Sequence, residues 1–152
     1  MKIAIGSDHA GCSYKSEISK YLNSLGHYVI DVGTDSNESS DYPDFGQQGA
    51  ELVSTGKSDI AVLVCGTGIG MSITANKIKG IRAALCWNEE AARLARQHND
   101  ANVLCMGARL LSLDECINIV RVFIDTHFIN EEKYIRRIRK IAKIDEGRSI
   151  CE

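Results

Sequence analysis

Apolar and polar positions along this chain alternate between the period of a strand and the period of a helix. Lys2–Gly6 reads as a strand, and Tyr14–Leu25 as a helix with Ile18, Tyr21, Leu22 and Leu25 on one stripe. Tyr28–Val32 is a second strand and Phe45–Ser54 a second helix. Asp59–Cys65 is an unbroken apolar run, the pattern of a parallel strand covered on both faces. A short helix follows it to Lys77. Arg82–Cys86 and Asn102–Met106 are further strands, with a helix over Asn88–Gln97 between them. Ser112 opens a long helix, and Glu115 completes a capping box with it. Leu113, Cys116, Ile117, Val120 and Ile124 form that helix's stripe. A last helix runs from about Glu131 to Lys143.

Five strands separated by helices predict an α/β fold. The expected form is a doubly wound, mostly parallel, Rossmann-like five-stranded sheet with helices on both faces and a C-terminal helix besides. At 152 residues the chain is expected to be one domain, with 146–152 a loose tail. The polar loop Thr34–Asp44 carries the only proline, Pro43, and is long enough to cover a site.

Composition narrows the functional classes. With 44% hydrophobic and 25% charged residues the chain is globular. A net charge of −2 gives no overall pull toward nucleic acid or anionic membrane. No apolar run is long enough to span a bilayer. The N-terminus enters a strand pattern at once, so a cytoplasmic location is expected. The six cysteines form no Cys-x-x-Cys pair and have no histidine at metal spacing, so reduced thiols and no metal site are expected.

Sheets of this kind bind ligands at the carboxyl ends of their strands. The first strand ends in Gly6-Ser7-Asp8-His9-Ala10-Gly11, the third in Cys65-Gly66-Thr67-Gly68-Ile69-Gly70, and the fifth in Met106-Gly107-Ala108-Arg109. Asp8, His9, Cys65, Thr67 and Arg109 should therefore crowd one edge. The glycine loop departs from the dinucleotide fingerprint and lacks the end of a P-loop. It is either a tight strand-to-helix turn or a row of amides for an oxyanion, with Cys65 at an accessible mouth beside it. Cys65 is a nucleophile, a general base or a buried bystander. His98 is its possible partner or a solvated helix-end residue. Asp8 either takes part in chemistry or caps the next helix, and Asn99 could be a left-handed C-cap. In the last helix Lys133, Arg137 and Lys140 fall on one side, either as a solvated face or as a phosphate clamp.

Taken together, Gly6–Gly11, Asp41-Tyr42-Pro43-Asp44, Val64–Gly70, Ala75-Asn76-Lys77, Gly80-Ile81-Arg82-Ala83 and Arg96-Gln97-His98-Asn99-Asp100-Ala101-Asn102-Val103 resemble the ribose-5-phosphate isomerase B family. The wider group includes galactose-6-phosphate isomerase subunits. The resemblance runs in order to about residue 144. It implies interconversion of D-ribose 5-phosphate and D-ribulose 5-phosphate through a cis-enediolate, with no metal and no organic cofactor. By the same resemblance His98 assists ring opening with Asp8 and Thr67 nearby, and Cys65 moves the proton between C2 and C1. Tyr42, Gly66, Gly68, Gly70 and Asn99 contact substrate, and His9, Arg109, Lys133 and Arg137 hold its phosphate. One branch of the family carries a glutamate base just past the glycine loop. Here that position is Met71, so the chain resembles the cysteine branch. The family implies a homodimer with shared active sites, or a dimer of such dimers. On that model His9, Lys133 and Arg137 come from one subunit and Cys65 and His98 from the other. Two alternatives stand beside this reading: an isomerase of a six-carbon sugar phosphate such as allose 6-phosphate or galactose 6-phosphate, and a non-catalytic phosphometabolite- or nucleotide-binding module.

Overall fold

Strand and helix alternate in a computed structural model that describes residues 1–150. The strands are β1 (Lys2–Ser7), β2 (Tyr28–Asp31), β3 (Ile60–Cys65), β4 (Ala83–Leu85) and β5 (Val103–Gly107). The helices are α1 (Cys12–Ser24), α2 (Tyr42–Ser54), α3 (Ile69–Ala75), α4 (Glu89–Asn99), α5 (Leu113–Asp125) and α6 (Glu132–Asp145). The strands pair in the order β2-β1-β3-β5-β4, and every pairing is parallel.

The side-chain alternation of the strands divides the core. Ile3, Ile5, Val62, Val64, Leu104 and Met106 point to one face, where Ile18 and Leu22 of α1, Ala92 of α4 and Phe123 of α5 cover them. Ala4, Ala61, Leu63, Cys65, Val103 and Cys105 point to the other, under Ala50 of α2 and Met71 and Ala75 of α3. Both faces are apolar and both are covered, which is why the strands read as continuous hydrophobic runs. No helix among the described residues is long and apolar enough to cross a membrane.

Several boundaries differ from the sequence expectation for local reasons. The helix α2 begins at Tyr42, not Phe45, because Pro43 sits in its first turn, where its missing N–H leaves no bond unmade. A short 3-10 turn, His9–Gly11, precedes α1, with Asp8 as its cap. Asn99 is the last helical residue of α4, not its left-handed cap. That conformation falls on Asp100, at φ 44°, the one non-glycine residue with positive φ among those described. The capping box of Ser112 and Glu115 is present at the start of α5. The tail expected at 146–152 starts where α6 closes. Gly147 at φ 71° stops α6, and Arg148 N–H donates to Lys143 O while Gly147 N–H donates to Ile144 O, a Schellman closure. Cys151 and the rest of that tail lie outside the described residues.

Candidate active site

Strand order reverses between β1 and β3. The chain leaves β1 toward one sheet edge to form β2, and leaves β3 toward the other to form β4. The ladder keeps the strand ends level, with Ser7 opposite Val64 and Cys65 opposite Gly107. The segments after β1, β3 and β5 therefore emerge side by side, as the strand-end rule requires.

The loop after β3 is shaped around the sulfur of Cys65. Gly68 N–H donates to Cys65 Sγ at 3.1 Å. Gly68 has φ 77°, and a Cβ there would lie 2.7 Å from the carbonyl carbon of Met106. A Cβ on Gly107 would lie 2.6 Å from the Thr67 backbone, so that glycine lets the loop settle onto the end of β5. Thr67 is exposed, and its Oγ1 accepts Ile69 N–H. Because α3 is only seven residues long, the individual loop amides form the local positive field. One expectation needs correcting. Cys65 is 4% exposed and belongs to the cluster under α2 and α3, so its sulfur lies beneath the loop and not at an open mouth. The strand alternation dictates this, since Cys65 points to the same face as Leu63.

Three neighbours surround the loop. Arg109 lies along Gly66, its Cδ 3.3 Å from where a Cβ would be, and its N–H donates to Gly66 O at 3.0 Å. Tyr42 lays its ring against Gly70, within 2.6 Å of the Cβ position. Asp8, buried at 6% exposure, accepts the amides of Ala10 and Gly11 through Oδ1. The capping reading of Asp8 thus holds for that oxygen. His9 exchanges two bonds with Ser40: its N–H donates to Ser40 Oγ at 3.1 Å, and Ser40 N–H donates to His9 Nδ1 at 3.2 Å.

His98 and Asn99 are elsewhere. Helix α4 starts beyond the carboxyl end of β4 and runs back along the sheet for 11 residues, roughly 16 Å. It ends beside Arg82, the residue before β4, whose Nε donates to Asn99 O at 2.9 Å. His98 therefore lies at the amino edge of the sheet, opposite Cys65. Its ring stacks on Tyr134 of α6, centroids 4.5 Å apart and planes 10° from parallel. Lys133 Nζ and Arg137 Cζ lie 4.7 and 5.9 Å from the same Tyr134 ring. Glu131 pairs with Lys133 at 2.8 Å and holds its ammonium above the usual lysine range. The expected grouping of His9 with Lys133 and Arg137, and of Cys65 with His98, is thus reversed within one chain. Lys133 and Arg137 accompany His98, whereas His9 accompanies Cys65.

Sequence reasoning passed over Ser40 and Tyr134. Ser40 is one of several polar loop residues and carries no signal of its own. Tyr134 is the single aromatic residue of a helix rich in basic and aliphatic residues, a signal that was present. The other described cysteines are buried free thiols. Burial pushes the Cys86 thiol up to about 12 and that of Cys116 to about 11, and raises Cys105 as well. They act as small apolar side chains.

The likeness to known proteins is close and nearly full length. A family model described as Ribose/Galactose Isomerase matches residues 3–141. Ribose-5-phosphate isomerase B of Escherichia coli is 42% identical over 148 residues, covering 97% of this chain and 99% of that protein. Galactose-6-phosphate isomerase subunit LacB of Clostridium acetobutylicum is 41% identical over 150 residues, covering 97% of this chain and 87% of the other. The solved structure of Clostridium thermocellum ribose-5-phosphate isomerase B superposes with a TM-score of 0.95 at 48% identity, covering 97% and 99% of the two chains.

Proposed function

The chain belongs to the ribose/galactose isomerase family, and from that premise we propose that it interconverts D-ribose 5-phosphate and D-ribulose 5-phosphate, with Cys65 as the base. The observation that carries this reading is the sulfur of Cys65 held by Gly68 N–H beneath a glycine loop at the sheet's reversal point, with Arg109 alongside. Aldose–ketose isomerisation needs a base for a weakly acidic carbon proton and donors for the charge that follows. A thiolate below a row of amides supplies both.

Ring opening comes first. A proton leaves the anomeric hydroxyl and another reaches the ring oxygen, the role we give to His98. Cys65 then takes the proton from C2, and the electron pair moves through the C1–C2 bond onto O1 to form a cis-enediolate. The amides of Gly66–Gly70 receive that charge. Return of the proton to C1, with transfer of the O2 proton to O1, leaves the ketose. The burial of Cys65 beneath the loop keeps its sulfur from bulk water.

His98 lies at the far edge of its own sheet, so it reaches Cys65 only from a second copy of the chain. A homodimer with two shared sites follows, each using Asp8, His9, Thr67 and Arg109 from one copy and His98, Asn99, Lys133 and Arg137 from the other. Apolar surface is available for such docking. Trp87 is 66% exposed and Leu110 68%, and with Ile69 and Leu85 they line a cleft of about 190 Å³ beside the loop. Shared phosphate clamping by His9, Arg109, Lys133 and Arg137 would orient the sugar.

A coupled assay on ribose, allose and galactose phosphates tests the reading. Ribose 5-phosphate should turn over fastest; preference for a six-carbon substrate would move the assignment to the hexose branch. Cys65→Ala should still bind ribose 5-phosphate while turnover falls at least about 100-fold, the usual scale for a proton-transfer group. Undiminished turnover in that variant removes Cys65 as base.

A further inference from the structure

The loop from Asp31 to Asp41 is fastened at both its root and its far end. At its root lies Lys15 of α1, a lysine with 0% exposure. Burying an ammonium is costly unless carboxylates meet it. Here Asp31 Oδ2 and Asp35 Oδ1 each lie 2.8 Å from Lys15 Nζ. The two carboxylates outweigh desolvation and hold the ammonium above the usual lysine range. The Asp35 side chain is 92% exposed, so it belongs to the loop surface and reaches inward to this buried charge. Gly33 lets the backbone rest directly on the lysine stem: a Cβ there would stand 2.6 Å from Lys15 Cδ and 2.5 Å from Ser7 N.

From that root a series of bonds runs outward. Gly33 N–H donates to Asp31 Oδ1, and Thr34 N–H to Ser7 O. Ser36 N–H donates to Thr34 Oγ1 at 3.1 Å, and Glu38 N–H to Ser36 Oγ at 3.0 Å. Side chains two residues apart thus take successive amides, each closing a small ring that stiffens the chain. The series reaches Glu38, and two residues further on Ser40 is bonded to His9 in both directions.

We propose that Ser40 is a positioning residue that fixes the neutral His9 ring with its proton on Nε2, and that Lys15 and Asp35 set Ser40 in place from the root of the loop. The chemistry is direct. The Ser40 N–H occupies the Nδ1 lone pair, so the neutral ring carries its hydrogen on Nε2. A phosphate can accept from Nε2–H. The other tautomer would turn a lone pair toward the anion and repel it. The proposal rests on the isomerase reading for the use made of His9, but the tautomer belongs to the free protein and can be read without substrate.

Long-range proton–nitrogen correlation on ring-labelled, ligand-free protein reads the tautomer, with His9 assigned by loss of its signals in His9→Asn. The expected pattern is protonated Nε2 and bare Nδ1. A proton on Nδ1 overturns the proposal whatever the activity. Asp35→Asn then tests the root, since Asp35 is exposed and distant from the chemistry. Its thermal midpoint should fall slightly, because Asp31 alone then meets the buried ammonium, while His9 shows mixed tautomers and KM for ribose 5-phosphate rises about fivefold with kcat held. An unaltered tautomer and KM in Asp35→Asn overturn the role of Lys15 and Asp35. Ser40→Ala keeps the N–H, so His9 should stay protonated on Nε2, while loss of the hydroxyl that accepts His9 N–H should raise KM; an unchanged KM overturns the part played by the Ser40 hydroxyl. A protein inactive on every sugar phosphate but with His9 protonated on Nε2 defeats the isomerase reading and leaves the positioning intact.

Discussion

Gly68 meets three demands at once. Its φ of 77° is left-handed, its Cβ position is filled by Met106 and Leu85, and its N–H is the donor to Cys65. Gly68→Ala should therefore destabilise the fold by about 2 kcal/mol, read from denaturant melts. Turnover should fall further than that loss explains, because the loop must lift and carry the amide off the sulfur. An alanine variant with native turnover would show that this amide has no part in catalysis. The sequence showed three glycines after Cys65 but not which of them carries the strain. That depends on the approach of β5, whose Met106 is 38 positions away in the chain. The pointing direction of Cys65 was legible, since strand alternation puts it with Leu63; only its depth needed the packing of Met71 and Ala75.

Among the elements, α4 is set by the residue that caps it, two beyond His98. Asp100, at φ 44°, is clamped by two arginines: Arg82 Nη2 donates to Asp100 Oδ2 at 3.0 Å, and Arg96 Nη1 to Asp100 Oδ1 at 2.9 Å. Arg82 also takes the carbonyls of Asn99 and Asp100, and Arg96 lies over the Phe123 ring. The clamp fixes where α4 stops and hence where His98 and Asn99 stand. Asp100→Ala keeps the strained conformation and loses both pairs, so it should lower stability by about 1–3 kcal/mol. Asp100→Gly relieves the strain but not the lost pairs and should fall between. Urea melts of the two variants decide it; a glycine variant more stable than the native chain by the whole of the relieved strain would show that the arginines contribute nothing. The helical period over Asn88–Gln97 was plain in the sequence, yet its end was not. Both Asn99 and Asp100 suit a left-handed cap, and the choice rests on Arg82, which arrives from before β4. Likewise Pro43 marked the edge of a loop in the sequence, while the structure uses it to begin α2.

At the scale of the molecule, the two groups of candidate residues occupy opposite edges of one sheet. Which edge each occupies follows from helix direction alone: α4 returns along the sheet, so a residue at its end cannot share an edge with the end of β3. The sequence holds that information in the order and direction of its elements. If each site draws on two copies, two inactive variants should complement one another. Cys65→Ala and His98→Asn, unfolded and refolded together in equal amounts, should regain about a quarter of native activity, because half of the random dimers hold one intact site of two. Either variant refolded alone should stay inactive. A mixture no better than its parts would mean that Cys65 and His98 do not meet across copies.

Trp87 is the chain's single tryptophan, and it stands on the rim of the apolar cleft. Its indole is thus a built-in optical gauge. If a second copy covers that rim, as the proposed dimer requires, the ultraviolet emission of the whole protein should report the event from one known position, with no dye attached.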